Sequence, residues 1–462
     1  MGLETDCYTI GYSVSSAEFD SVVEEQSGMG QGSLNATRSA PQEGANFASR
    51  ISRHQAENRK PALSIHILNM EQIDLVYGAG AAQAASDHVR SIIKFELRDR
   101  DQAELAEYVL RRLSELPVTY DGQRFHLNVS LAPTSDPGGC AIKASTVHGN
   151  PAFPDDAWCR CYRADMALAV TLFEAMAKGE LVSAWQPVRH ADDPAHILYH
   201  ECLLRWIDPQ CATADGAIVP LGDSIMALER LGLIRSLDRY VMALAIDELR
   251  IGPARMLGVN VSAVSLVDDH WWAEILTELE HSPLLAQRLT IEITETAPLG
   301  SMTEAVDFIS RVRRLGCRIA LDDFGTGHAS IQSLLSFAPD RVKIDKYFVS
   351  RARASLSGRR ALSHLIGLAE ALGAEAIVEG VETRSDAQMV REAGGNWQQG
   401  YHHGRPTVAR PWQMDVDAAA PSSADRDPEI PNASLSALPG IARFHHDSAQ
   451  ALERRWPRMR GG

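Results

Sequence analysis

Short apolar runs that each end at or just before a polar side chain of the kind used in active sites recur along residues 186–399. They are Glu201 in HECLLRW, Asn260 in LGVNVSA, Glu292 in LTIEITE, Asp322 and Asp323 in RIALDDFGTG, Lys343 in DRVKID, Glu379 in AIVEGVET and Gln399 in QQGYHHGRP. A strand buried on both faces reads as a continuous apolar stretch. An acid at its last position is leaving a core and entering a site. Repeated with helix-like segments between, the pattern predicts an α/β fold, a parallel TIM-like (β/α)8 barrel whose strand ends converge on metal ions.

The first barrel strand is expected in LVSAWQPV and the later ones near 197–206, 256–262, 288–294, 317–323, 340–345, 375–380 and 396–401. Helical spacing places helices at 165–178, 222–250, 270–281, 302–315, 328–336, 359–373 and 384–394. Upstream, strands are expected at 61–69 and 125–133, with helices at 71–94 and 102–116 and a turn-rich loop at 134–156. Residues 1–58 read as a flexible region with one short helix near 16–26, and 413–462 as a tail with a short helix around 446–456. The expected domains are therefore 59–168 and 169–412.

A net charge of −15 argues against broad binding to a nucleic acid polymer. It is compatible with a small anionic ligand if divalent cations reverse the sign locally. No apolar run reaches the roughly 18–20 residues needed to cross a bilayer, and MGLETDCYTIGYSVSS lacks the pattern of a signal peptide. The expected location is cytoplasmic, without a membrane partner. Seven scattered cysteines with no CxxC read as free thiols. Magnesium and manganese favour oxygen ligands, and Asp, Glu and Asn are what the strand ends offer.

The motifs of residues 170–412 resemble, in order, those of the EAL-domain phosphodiesterases, which hydrolyse cyclic di-GMP. The resemblance implies a first barrel strand antiparallel to the rest and two Mg2+ or Mn2+ ions per site. It implies that Glu201, Asn260, Glu292 and Asp322 hold one ion, and that Asp322 bridges to a second completed by Asp323 and Glu379. It further implies catalytic roles for Glu379 as general base, Lys343 as a charge-neutralising group and Gln399 beside the water. Gln186 and Arg205 would contact substrate, and Glu295 would steady the loop after the Asp pair. A homodimer through this domain is also implied. Lys343, read without the resemblance, could equally pair with Asp340 or Asp345.

The chain departs from the family pattern at Cys202, Trp185, His328 and Asn396, none of them an expected ligand. Block 59–168 is similar to a GGDEF domain in its opening strand, its helix, LNVSLAP and CYRADMALA. The segment that should carry the GTP-holding signature is missing, so cyclase activity is not expected. Arg98-Asp99-Arg100-Asp101 reads as solvated surface or as an RxxD-like product site. Beside hydrolysis of cyclic di-GMP to linear pGpG stand two alternatives: a non-catalytic cyclic di-GMP receptor or scaffold acting through protein contacts, and another metal-dependent barrel enzyme acting on carbonyl compounds.

Overall fold

The computed structural model describes residues 9–11, 63–96, 102–133, 154–208, 217–252, 255–294, 300–326 and 331–414. The expected helices near 16–26 and 446–456, residues 98–101, Glu295, His328 and three of the cysteines (Cys7, Cys140, Cys211) lie outside them. The chain divides into two compact units, Met1–Arg160 and Cys161–Gly462.

In the first unit, β1 (Thr9–Gly11) and β2 (Leu63–Ile67) pair antiparallel. A hairpin of β3 (Val118–Tyr120) and β4 (Gln123–Phe125) precedes β5 (Val129–Pro133), which returns antiparallel to β2. The hairpin was not expected from the sequence, although its turn is Asp-Gly. Asp121 and Gly122 take φ of 47° and 72°, the left-handed pair that a two-residue hairpin turn requires. The helix expected at 71–94 is two, Met70–Tyr77 and Ala79–Glu96, parted at Gly78 with φ 89°. The third, Gln102–Glu115, lies where its spacing predicts.

Helix Asp156–Lys178 spans the division between the two units. It starts earlier than its apolar spacing suggested because Asp155 accepts the amide of Trp158 at 2.8 Å, an N-terminal cap. Eight strands then close into a barrel: β6 (Leu181–His190), β7 (Ile197–Asp208), β9 (Leu257–Ser262), β10 (Leu289–Thr294), β11 (Arg318–Phe324), β12 (Arg341–Ile344), β13 (Glu375–Val378) and β14 (Trp397–Gln398). β6 runs antiparallel to both of its neighbours, β14 and β7, and the other pairs around the barrel are parallel. An unexpected ninth strand, β8 (Ala217–Pro220), hangs antiparallel on the far end of β7.

The helices between strands bury one apolar face, and several are capped at their start. Met302–Arg314 buries Ala305, Phe308, Ile309 and Val312, a 3–4 spacing, and Ser301 accepts the amide of Glu304 at its start. Arg384–Glu392 begins with a reciprocal box between Thr383 and Asp386. The helix expected at 222–250 breaks into Gly222–Leu231 and Ile234–Ile251 at Gly232, which takes the left-handed φ of 71°. Helix Lys346–Ala354 was also missed; Asp345 caps it by accepting the amide of Tyr347 at 2.7 Å. Among the described residues no helix is long and apolar enough to cross a membrane, and Cys159, Cys161, Cys202 and Cys317 are free thiols.

Candidate functional site

Register around the barrel decides which side chains meet. Gln186 lies opposite Glu201, Glu201 beside Gly258, and Glu292 beside Asn260. Side chains two apart on a strand share a face. The inward layer that contains Glu201, Asn260, Glu292, Asp322 and Lys343 therefore sits about one step above a lower layer of Tyr199, Thr290 and Arg341. In that lower layer the buried Arg341 donates from Nη1 to Thr290 Oγ1 at 2.6 Å and lies 5.1 Å from the centre of the Tyr199 ring.

Lys343 is the hub of the upper layer. Its Nζ lies 2.6 Å from Glu292 Oε2, 2.9 Å from Glu379 Oε1, 3.0 Å from Asp322 Oδ1 and 3.3 Å from Glu201 Oε2, with the side chain only 1% exposed. The sequence-level partners Asp340 and Asp345 are engaged elsewhere: Asp340 accepts the amide of Ile319 at 2.8 Å, and Asp345 caps a helix. Glu201 also accepts Asn260 Nδ2 at 2.7 Å and Gln399 Nε2 at 2.5 Å. Gln399 reaches Gln186 Oε1 at 3.4 Å, and Gln186 Nε2 donates to the Gly404 carbonyl at 3.1 Å.

Adjacent residues of a regular strand point to opposite faces, so Asp322 and Asp323 should not both face the site. A register shift between Leu321 and Phe324 solves this, with Asp323 held at φ 51° and its amide donating to Asp322 Oδ1 at 3.0 Å. The bulge turns both acids toward Glu379. One carboxylate oxygen from each of Asp322, Asp323 and Glu379 falls within 4.8 Å of the others, as does one from each of Glu201, Glu292 and Asp322.

The electrostatics are those of too many acids for one lysine. Burial pushes the Glu292 carboxyl up to about 8 against the pull of Lys343, and Glu201 and Asp322 add to the rise. Burial and then Asp322 lift Asp323 to about 6. Burial also raises Asp322 and Glu379 above the usual carboxylate range, with Lys343 opposing. Glu201 is the exception: burial opposes its charge, but Lys343, Asn260 and Gln399 together lower its pKa. Lys343 is held well above its ordinary value, because the surrounding acids outweigh its own desolvation.

Metal fit can be judged from the oxygens. Asn260 Oδ1 and Glu292 Oε1 are buried without a hydrogen-bond partner, and burying such atoms unpaired is costly. Hard oxygen donors that lack partners and an excess of carboxylate suit divalent magnesium or manganese.

Gln186 lies opposite Glu201 and beside Gln399, and Arg205 lies four residues past Glu201 on the same face of β7. Cys202 is buried opposite Trp185, on the face of β7 away from Glu201. Sequence reading missed Gly258, although a glycine inside a strand pattern signals close approach. A Cβ there would meet Glu292 Oε1 at 1.9 Å and the Tyr199 ring at 2.5 Å. It also missed the buried Asp238, which accepts the Ser262 amide at 3.1 Å and Ser265 Oγ at 2.5 Å, while Glu229 accepts Ser262 Oγ at 2.9 Å. Together these anchor the turn just past Asn260.

Residues 169–406 match the family model of the EAL domain. An uncharacterized signaling protein of Caulobacter vibrioides is 31% identical over 374 residues, 75% of this chain and 45% of that protein. The cyclic di-GMP phosphodiesterase NbdA of Pseudomonas aeruginosa is 27% identical over 330 residues, 67% of this chain and 41% of that one. This chain thus spans less than half the length of these curated relatives. Among solved structures, the EAL enzyme Bd1971 with cAMP and cyclic di-GMP bound shares the fold, with a TM-score of 0.50 over 64% of this chain and 91% of that chain at 21% identity.

Proposed function

The chain belongs to the EAL domain family, and from that premise we propose that it hydrolyses cyclic di-GMP to linear pGpG by a metal-dependent reaction. The observation that carries the reading is the cluster of five carboxylates, four of them paired with Lys343, with the oxygens of Glu201, Glu292 and Asp322 and those of Asp322, Asp323 and Glu379 in two overlapping groups.

Glu201, Asn260, Glu292 and Asp322 would hold one divalent cation, and Asp322, Asp323 and Glu379 the other. When bound, the two ions neutralise phosphoryl oxygens and lower the pKa of water. Glu379 takes the proton of the attacking water, whose oxygen bonds to phosphorus as the bond to the 3′ oxygen breaks. That leaving oxygen ends protonated, and the phosphate stays on the 5′ side. Lys343 stabilises charge gathering on the phosphoryl group in a water-poor setting. Gln399 orients the water, and Gln186 and Arg205 hold the substrate, the planar guanidinium suiting a phosphate.

The reading extends to a homodimer through the EAL domain. Ile331 and Leu335, one turn apart on the helix after the Asp pair and each 60% exposed, support an apolar contact there. Residues 59–168 are read as a degenerate, regulatory GGDEF-like module and the setting as cytoplasmic. Purified protein incubated with cyclic di-GMP and magnesium, followed by chromatography, should yield pGpG, and EDTA should abolish it. Tight binding without turnover at any divalent metal would leave a receptor and overturn the enzyme.

A further inference from the structure

Beneath the acids the barrel interior holds one large aromatic side chain. Tyr199, two residues before Glu201 and on the same face of β7, is 1% exposed and packs in one cluster with Val188 of β6 and Ile377 of β13. The Arg341 guanidinium lies over its ring, 5.1 Å from the centre. Arg341 is itself fixed on two sides: Nη1 donates to Thr290 Oγ1 at 2.6 Å, and Nε donates to Glu375 Oε2 at 3.1 Å. The Cδ2–Cε2 edge of the ring abuts Gly258. A Cβ at Gly258 would meet Cε2 and Cδ2 at 2.5 and 2.9 Å, and Glu292 Oε1 at 1.9 Å. Ring edge and carboxylate oxygen thus converge on the one gap that the glycine leaves open. The Tyr199 hydroxyl and Glu292 Oε1 are both buried without a hydrogen-bond partner.

An aromatic ring is negative on its face and positive at its edge. The guanidinium over the face and the carboxylate oxygen near the edge each meet the sign that attracts them. The ring is therefore held by packing below and by charge on two sides, and its hydroxyl takes no part. No hydrogen bond holds Glu292 Oε1, so the ring edge and the backbone at Gly258 are what bound its swing. We propose that Tyr199, clamped by Arg341, is a positioning residue for the divalent cation: its ring edge keeps Glu292 Oε1 turned toward the ion that Asn260 shares. The role rests on the metal-dependent reading above and adds to it a residue that touches neither cation nor substrate.

The test measures Mn2+ binding by electron paramagnetic resonance in the full-length wild type, Tyr199→Leu, Tyr199→Phe and Val188→Ala, with thermal unfolding in EDTA alongside. Tyr199→Leu should weaken Mn2+ by about tenfold or more, the usual effect of losing a group that orients a metal ligand. Tyr199→Phe keeps the ring and should bind within about twofold of wild type. Val188→Ala removes volume from the same cluster, so it should unfold earlier yet keep its Mn2+ affinity. In turnover of cyclic di-GMP, Tyr199→Leu should lose rate at low metal, regain most of it at saturating metal, and leave KM for the dinucleotide unchanged. Tyr199→Met takes the place of Tyr199→Leu if the latter does not fold. Unchanged Mn2+ affinity without the ring, or an equal loss in Tyr199→Phe or Val188→Ala, would overturn the proposal. A wild type that binds Mn2+ but does not cleave cyclic di-GMP ends the hydrolase reading and leaves the affinities to decide the positioning role; a wild type that binds no Mn2+ ends both.

Discussion

Replacing Lys343 with Met would keep most of the side-chain volume and remove the charge on which four carboxylates converge. At separations of 2.6–3.3 Å and an effective dielectric near 20, each ion pair attracts by about 5–6 kcal/mol. Most of that gross attraction is offset by desolvation of the ammonium and by repulsion among the acids. Removing one partner of a buried cluster typically costs about 3–5 kcal/mol, because the remaining charges are left uncompensated. The loss should depend on pH with a definite sign. Without the lysine the acids hold protons more tightly folded than unfolded, so stability falls as pH rises. In urea denaturation with EDTA, Lys343→Met should lose about 3–5 kcal/mol near pH 8 and much less near pH 5. Magnesium should recover part of the difference at pH 8. Turnover of cyclic di-GMP should fall by about 10²–10³, the usual effect of losing a charge-stabilising group. A stability loss below about 1 kcal/mol, or one that is independent of pH, would refute the view that Lys343 neutralises the ring.

Gly258→Ala places a methyl group against Glu292 Oε1 and Tyr199, so it should cost about 1–3 kcal/mol in urea denaturation and weaken magnesium in a titration. Unchanged metal affinity would show that Glu292 is free to move. Asp238 is pushed up to about 7, chiefly by burial, with Glu229 adding and Ser265 and Ser262 opposing. The folded state then keeps a proton that the unfolded chain releases from about pH 4 upward, so stability declines between about pH 4 and 7. Asp238→Asn should flatten that slope in a denaturation series, and an unaltered slope would assign it to other groups.

The barrel was legible because strands covered on both faces are mostly apolar, so that Glu201, Asn260 and Glu292 stand out within β7, β9 and β10 and Glu379 just past β13. What the sequence hid lies in register and backbone. LDDF reads as a regular strand end, and nothing in its composition shows that Asp323 adopts a left-handed φ to share a face with Asp322. Lys343 in DRVKID has acids three residues before and two after, and local reasoning cannot choose between them and a distant partner. Its real partners come from β7, β10, β11 and the end of β13, so only the assembled barrel reveals them. Gly232 was readable by ordinary turn chemistry, but helical spacing continued across it. The Asp121-Gly122 turn falls in 117–124, between the expected helix and strand, where two three-residue strands are too short to show alternation.

The site also explains why a barrel would carry buried cations at two depths. Arg341 lies 2% exposed in the lower layer and Lys343 1% exposed in the upper one. Five carboxylates gather at the level of Lys343 and just beyond it, and they cannot all ionise in a dry interior on the strength of one lysine. The raised carboxyls of Glu292, Asp322, Asp323 and Glu379 express that imbalance. Protons can correct it, and so can divalent cations that use the unpartnered oxygens of Asn260 and Glu292. The two corrections compete for the same acids, so metal affinity should rise with pH as stability without metal falls. Lys343 limits the instability between those states: it holds the acids together when no other cation is present, yet with a single charge it leaves most of the excess unanswered.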